Sequence, residues 1–340
     1  MRIDVRRNLS AVFVPALILA VELELVKPWP LFGDAANYFA MAQNPFAFMT
    51  SHNYTGSVWG FRILTPLIVY VLPLSTDDGF RLVTFVSLYF SAVVLYLFLI
   101  RGLKLSHTMA ILGEVLFLTD IVIIYNVANF RLVDPLAYLF LILGTYFVYR
   151  RSDLLFALTM AVGIFNRELQ LLLVPLYYAL NARRKIDFRC LLRAILWSAP
   201  AIICVIALDM VISGRIEAVY YFRGASMLVR LVTKWVNVKS IGLLVLSWSL
   251  LWPLALAGYM RYCPDTRVRR LLFLMPFVFG LAVFADVSRM LAYGFPAIIP
   301  FSLFTLSAWS KRRKGVALSI LIVSGQIALQ VALAAVVLPK

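Results

Sequence analysis

The chain has 340 residues, of which 63% are hydrophobic and 14% charged, with a formal net charge of +16. Soluble domains are roughly half apolar, so this composition excludes an ordinary soluble protein and predicts an all-α, polytopic membrane protein. In a soluble protein, this net positive charge would suggest a nucleic-acid partner. In a membrane protein, basic residues gather in the loops on the inner side, so no nucleic-acid partner is expected. The three cysteines have no paired spacing, so no disulfide framework or zinc site is predicted.

Apolar runs follow one another along the whole chain. The first run follows the basic stretch "MRIDVRRN" without a cleavage site, so it is predicted to stay as a span with its N-terminus inside. A crossing needs about 20 residues. The runs near that length are 8–26, 80–100, 105–126, 132–149, 190–212, 240–259, 290–310 and 316–338. Three shorter runs are expected as half-length or sunken crossings: 154–165, 169–181 and 271–285.

Whether the run at 63–74 crosses the membrane decides the orientation of all later segments. If it enters and leaves on one side, 20 of the 32 basic residues share the inner side with the N-terminus. That distribution is the positive-inside pattern, so 63–74 is predicted to be re-entrant or interfacial. About eleven crossings then form a single membrane domain over 1–340, in a plasma membrane of bacterial or archaeal type. The other assignment, in which 63–74 crosses, would place most of the later basic loops outside.

The first outer loop, 27–62, contains a short amphipathic stretch, "GDAANYFAMAQNPF". It predicts an interfacial helix that begins at Asp34 and stops at Asn44-Pro45, with Asp34 and Tyr38 on one face. Asp34 could act only as a helix cap, or it could also accept a proton. His52 and Arg62 follow in the same loop, and His52 is either a substrate contact or a solvated loop residue.

Arginines recur in the predicted outer segments, and most have an acid nearby in sequence. Guanidinium groups suit phosphate oxygens in a partly dry site. The short helices around "NRE" predict that Arg167 and Glu168 lie below the outer surface, where charges are costly unless they face a cavity or one another. The predicted substrate- or phosphate-binding residues are Tyr38, His52, Arg62, Arg131, Asp134, Arg167, Glu168, Arg223, Asp286 and Arg289. The same spacing also permits structural ion pairs within Arg131/Asp134, Arg167/Glu168 and Asp286/Arg289.

The outer loop at 213–239 mixes aromatic and basic side chains, including Arg223 and Trp235. It is either an interfacial helix that rests on lipid headgroups or a lid that contacts a lipid phosphate. Acids within spans, such as Glu114 and Asp120, do not line one helix face, so no proton relay is organised by the sequence. Two histidines are too few for a histidine metal site.

These features, in their order along the chain, resemble those of the GT-C class of membrane glycosyltransferases. The similarity lies in the basic inner N-terminus, the early loop aspartate in "GDAANYFAMA", the R-x-L-x-P element "FRILTP", the outer turn "NFRLVDPLAYLF" and the charged tip in "GIFNRELQLLLVPLYYAL". It covers about residues 1 to 190 and weakens afterwards. The pair of acids often found in the first loop of the family is reduced here to Asp34, and the large soluble C-terminal domain of some members is absent.

The resemblance implies an inverting transfer of a sugar from polyprenyl phosphate to an acceptor hydroxyl on the outer face, with Asp34 as the general base. Arg167, Arg62 and Arg289 would stabilise the departing lipid phosphate. The expected partners are the polyprenyl-phosphate sugar donor, a lipid, glycan or protein acceptor, and membrane lipids. No cofactor is expected, and the sequence gives no support for a divalent metal. The alternatives are a glycan polymerase or ligase, and a transporter or flippase of lipid-linked substrates.

Overall fold

The computed structural model describes residues 5–31, 33–46, 62–184, 186–212, 242, 245–284, 287–311 and 313–337. Within these ranges all regular secondary structure is helical, as the composition predicted. Three helices are long and apolar enough to cross a membrane: Thr76–Gly102, Phe188–Leu208 and Gly315–Ala334. These helices make the chain compatible with a helical membrane protein, and the eleven crossings remain a sequence-based prediction.

The α-helices occur in the following order. They are α1 (Val5–Leu25), α2 (Asp34–Gln43), α3 (Leu64–Val71), α4 (Thr76–Leu97), α5 (His107–Leu118), α6 (Ile121–Ala128), α7 (Asp134–Arg150), α8 (Asp153–Gly163), α9 (Leu173–Asn181), α10 (Phe188–Ile212), α11 (Leu251–Ala257), α12 (Thr266–Arg269), α13 (Leu274–Phe284), α14 (Val287–Ala292), α15 (Phe295–Ser310) and α16 (Arg313–Val337). Short π-helical turns cover Phe98–Gly102 and Gly258–Tyr262, and 3₁₀ turns cover Glu168–Leu172 and Arg270–Phe273.

The chain divides into two compact units that alternate along the sequence. The first unit contains Met1–Lys27, Tyr89–Ala128 and Lys234–Lys340, and the second contains Pro28–Leu88 and Asn129–Thr233. No polar linker separates the two units in the sequence, and the single membrane domain over 1–340 stays a prediction.

In the first unit, α15 provides the most deeply buried helix. Every residue from Phe295 to Leu306 is buried, and α15 packs against α11, α5 and α16. A Cβ atom at Gly258 would overlap the backbone carbonyl of Phe301, so the glycine permits a close approach of the two backbones. At the start of α5, the two ring nitrogens of His107 contact the hydroxyl groups of Ser10 at 3.0 Å and Tyr96 at 2.8 Å.

The predicted span 105–126 is broken in the structure. α5 and α6 meet at an angle of 52°. The physical reason is at Asp120, whose Oδ1 accepts a hydrogen bond from the backbone N–H of Val122 at 2.9 Å. An aspartate that accepts from the free amides of a following turn starts a new helix, so the polypeptide changes direction there.

In the second unit, α7, α8, α9 and α10 pack against one another, and α2 packs against α3. α3 has eight residues, which gives about 12 Å at 1.5 Å per residue, too short to cross a hydrocarbon core. The re-entrant or interfacial placement of 63–74 stays a prediction. α8 and α9 are also short, at 11 and 9 residues, as predicted for the helices that flank "NRE".

Candidate functional site

Arg62 is the centre of a charged cluster in the second unit. Its guanidinium Nε donates to Glu168 Oε2 at 3.1 Å, Nη2 donates to Glu168 Oε1, and Nη1 donates to the Tyr38 hydroxyl at 3.1 Å. The Arg62 side chain is 10% exposed, whereas that of Glu168 is 39% exposed. Arg62 therefore joins α2 to the 3₁₀ turn at Glu168–Leu172, and the carboxylate is the open point of the cluster.

Backbone and polar contacts hold the start of α3 against the "NRE" tip. The backbone N–H of Leu64 donates to the carbonyl of Phe165 at 2.9 Å, and the Thr65 hydroxyl donates to the Asn166 side-chain oxygen at 2.6 Å. The Asn166 amide in turn donates to the carbonyl of Val133 at 2.9 Å. Thr65 and Asn166 are buried. These bonds fix the position of Arg62 relative to Glu168.

Arg167 forms an ion pair with Asp134, the first residue of α7, and the two side chains are 4% and 0% exposed. The sequence had suggested pairing between the neighbours Arg167 and Glu168. The structure differs because Arg167 has an extended backbone, with φ −163° and ψ 131°. Consecutive side chains of an extended segment point in opposite directions. Arg167 therefore reaches Asp134, and Glu168 reaches Arg62.

Arg131 also pairs with an acid distant in sequence. Its Nε and Nη2 donate to the two Asp77 carboxylate oxygens at 2.7 and 2.9 Å, and Nη1 donates to the carbonyl of Trp29 at 3.1 Å. The guanidinium carbon lies 4.5 Å from the ring centroid of Phe130 and 5.8 Å from that of Phe39. The suggested pair with Asp134 is not formed, because Arg167 pairs with that acid. Arg131 is therefore held by packing as well as by charge.

Asp34 is the first residue of α2 and is half-buried. Gly33, with φ 57°, occupies the cap position before it, so Asp34 is not the cap residue that the sequence suggested as one alternative. An acid in the first turn is still favoured by the partial positive charge of a helix N-terminus. Tyr38 follows one helical turn later and is fully buried. Residues four apart on a helix have Cβ atoms about 5–6 Å apart, which places Asp34 one turn from the Tyr38–Arg62 contact.

The charges of this cluster stabilise one another. Burial would raise the pKa of Glu168, but the Arg62 charge, the Arg62 hydrogen bonds and the Arg167 charge outweigh it, and the pKa lies below its ordinary value. Burial would lower the pKa of Arg62, but Glu168 and Tyr38 outweigh that effect and raise it well above its ordinary value. Glu168 is therefore ionised and Arg62 protonated at neutral pH.

The structure does not describe every predicted site residue. His52, Arg223 and Asp286, together with the loops 47–61 and 213–241, lie outside the described residues. Arg289 belongs to the first unit, where it is half-buried on α14. The structure thus brings together Tyr38, Arg62 and Glu168 in one cluster, and Arg167 with Asp134 in a second contact of the same unit.

The sequence missed two residues of the site, Asp77 and Thr65. Asp77 lies in the stretch "STDDGFR", which follows the run at 63–74 and opens α4. An acid in the first turn of a long helix is an available partner for a nearby arginine, so the signal was present. Thr65 gave no signal, because a threonine at the start of an apolar helix is common.

Within the described part of the chain, no group of three or more His, Cys, Asp or Glu side chains is arranged to hold a metal ion. Asp77, Asp134 and Glu168 each form an ion pair with an arginine. Asp34 lies at the start of α2. The arrangement can hold an anionic group against Arg62 and can offer carboxylate oxygens as proton acceptors.

Comparisons with models of known families, with curated proteins and with solved structures each found no match to this chain. None of them identifies a GT-C glycosyltransferase, and that resemblance stays a sequence-based prediction.

Proposed function

We propose that this protein is a membrane glycosyltransferase that moves a sugar from a polyprenyl-phosphate donor to an acceptor hydroxyl, with Asp34 as the general base. The observation that carries the proposal is the contact of Arg62 with both Tyr38 and Glu168. It ties the helix that bears Asp34 to the charged tip at Glu168, which lies 106 positions from Arg62 in the sequence. A carboxylate and a guanidinium thus share one region of the second unit.

The proposed reaction needs a base and an anion-stabilising group. Asp34 removes the proton of the acceptor hydroxyl as its oxygen attacks the anomeric carbon of the sugar. The bond between that carbon and the phosphate oxygen breaks, and the lipid phosphate leaves with the bonding electrons. Attack from the face opposite the leaving group inverts the anomeric centre. A positioned base contributes about 10²–10⁴-fold to such a rate.

Arg62 is the better candidate for the leaving phosphate than Arg167. Glu168, its partner, is 39% exposed, so an incoming phosphate can reach the edge of the pair and compete for the guanidinium. Arg167 is paired with Asp134, which is 0% exposed, and moving it would leave a buried carboxylate without its cation. We therefore assign Arg62 to phosphate binding and Arg167 to positioning of the "NRE" tip. The order of preference from the sequence, which placed Arg167 first, is changed accordingly.

The test is donor consumption by purified protein in lipid nanodiscs, with a panel of polyprenyl-phosphate hexoses and pentoses and a membrane-lipid extract as acceptor. Asp34→Asn removes the base but keeps the shape of the side chain. We expect turnover to fall about 10²-fold or more, with binding of polyprenyl phosphate retained. The matched control is Glu24→Gln, which removes one negative charge at an exposed position of α1. Near-normal turnover by the Asp34→Asn variant would exclude Asp34 as the base.

One observation favours transport of a lipid-linked substrate as a second candidate. The bent pair α5–α6 is a broken apolar helix, and broken helices are common at transporter substrate sites. The two candidates differ in their products. A transporter would move an unchanged labelled polyprenyl-phosphate sugar across the bilayer of a proteoliposome, whereas the enzyme would release polyprenyl phosphate.

A further inference from the structure

A cavity of about 740 Å³ opens in the second unit where α8 and α10 begin. Pockets of about 300–1,000 Å³ are the usual size for small-molecule sites. Five of the lining side chains are arginines: Arg151, Arg183, Arg184, Arg189 and Arg193. Two are aspartates, Asp153 and Asp187. Five arginines against two aspartates leave an excess of three positive charges around the cavity.

Both aspartates are already engaged by groups of the protein. Asp153 accepts hydrogen bonds from the Tyr177 hydroxyl at 2.8 Å and from Arg193 Nε at 2.7 Å. Asp187 accepts from the backbone N–H groups of Arg183 and Cys190, each at 3.0 Å. The two carboxylates therefore shape the cavity wall and offset part of its positive charge, and Asp187 also interacts electrostatically with Arg183 and Arg184.

Three of the five arginines are accessible to a ligand. Arg151, Arg184 and Arg189 are exposed, and none of them forms an ion pair with a carboxylate in the described ranges. Arg151 lies between α7 and α8, Arg184 lies between α9 and α10, and Arg189 belongs to the first turn of α10. Guanidinium groups that converge from different segments suit the oxygens of a phosphate group. The cavity is therefore built for an anion.

An apolar strip runs from the mouth of this cavity along α10. Ile186 and Phe188 line the cavity and are 71% and 76% exposed. Leu192 and Leu196 continue the strip at four-residue intervals on one helix face and are 68% and 63% exposed. From Phe188 to Leu196 the strip covers about 12 Å at 1.5 Å per residue. A ligand with an anionic head and an apolar tail matches both surfaces.

We propose that this cavity binds the phosphate headgroup of an anionic membrane phospholipid, whose acyl chains lie along α10. A soluble phosphate would use the arginines but would leave the apolar strip without a role. The positive-inside pattern assigns both loops to the inner leaflet, where anionic lipids attract clusters of basic residues at membrane–water interfaces. The cavity shares no lining residue with the cluster around Arg62, and the proposal does not depend on the proposed transfer activity.

The test uses the full chain in phosphatidylcholine nanodiscs, with spin-labelled phosphatidylglycerol or spin-labelled phosphatidylcholine as the probe. Electron paramagnetic resonance measures the fraction of each label that is immobilised by the protein. We expect the wild-type protein to prefer phosphatidylglycerol by about tenfold, since each basic residue near a membrane surface contributes measurably to anionic-lipid binding. Equal immobilisation of the two labels by the wild-type protein would overturn the proposal, whatever the variants do.

The variant R151Q/R184Q/R189Q removes the three available arginines of the cavity. We expect it to lose most of the preference for phosphatidylglycerol while still immobilising phosphatidylcholine. The matched control, R101Q/R150Q/R261Q, removes three exposed arginines that do not line the cavity. It should keep the preference. Equal losses in the two variants would show a general surface charge effect and would overturn the assignment to this cavity.

A final arm separates the lipid from a soluble anion. Inorganic phosphate at millimolar concentration is added to the wild-type nanodiscs, with sodium chloride of equal ionic strength as the control. We expect the immobilised fraction of phosphatidylglycerol to change equally in the two salts, because only the lipid also contacts the apolar strip. Selective displacement by inorganic phosphate would show that the cavity takes the soluble anion and would refute the lipid assignment.

Discussion

The contact between Arg62 and Glu168 can be tested by a double-mutant cycle. The variants are Arg62→Met, Glu168→Gln and the combination of both. Hydrogen bonds to charged groups contribute about 1.5–3 kcal/mol when they are buried. Exposed ion pairs contribute about 0.2–1 kcal/mol. The Arg62 side chain is 10% exposed and that of Glu168 is 39% exposed. The pair lies between these limits, so we expect a coupling free energy of about 1–2 kcal/mol.

The assay is equilibrium unfolding of the purified protein in mixed detergent micelles, followed by tryptophan fluorescence. Arg62→Met also removes the hydrogen bond to Tyr38. The single variant Arg62→Met and the double variant both lose this bond, so its free energy cancels in the cycle. The matched control replaces Glu168→Gln by Asp78→Asn, because Asp78 hydrogen-bonds to Ser75. The control cycle should be additive within about 0.5 kcal/mol. Additivity of the Arg62 and Glu168 variants would refute the contact as a source of stability.

Three further predictions concern stability. Asp134→Asn removes the partner of Arg167 and should cost about 3–5 kcal/mol in the free energy of unfolding, since a buried charge loses its counterion; unfolding of Asp134→Asn with the wild-type midpoint would contradict this. The folded pKa of Glu168 is lowered, so its contribution to the free energy of unfolding is complete above the ordinary glutamate pKa and is lost as pH falls through the lowered value. Between those two values, the stability of Glu168→Gln should depend less on pH than that of the wild-type protein. Parallel stability profiles of the two proteins would contradict this. Gly258→Ala places a Cβ atom against the carbonyl of Phe301 and should lower the thermal midpoint, whereas Gly325→Ala, with an ordinary contact there, should not.

The helical class could be predicted from the sequence, whereas the re-entrant or interfacial placement of 63–74 stays a prediction. Apolar runs of membrane length have few other structures available, and Pro73 follows α3 closely, where a proline cannot continue the helix. α3 begins at Leu64 and ends at Val71, within the predicted range. The break between α5 and α6 was not predicted, although Asp120 has the chemistry of a helix start. The sequence pattern indicates that Asp120 is an acid within one span, because apolar residues continue on both sides of it.

The ion-pair partners could not be predicted, for a geometric reason. Sequence spacing permitted ion pairs of Arg131 and Arg167 with the acids nearest to them along the chain. An extended backbone at Arg167 turns its side chain away from Glu168, and a distant helix start supplies Asp77 to Arg131. Such choices depend on packing between segments far apart in sequence. By contrast, Tyr38 was found by its helical spacing from Asp34, because that relation is local.

The most direct test of the proposed function is to map where a polyprenyl phosphate binds. A polyprenyl phosphate with a photoreactive group beside the phosphate is cross-linked to the protein in nanodiscs, and the labelled peptides are identified by mass spectrometry. We predict labels in Asp34–Gln43 and around Arg62 and Glu168, with a strong reduction in Arg62→Gln. Labelling confined to helices of the first unit, at equal yield in Arg62→Gln, would contradict the proposed site.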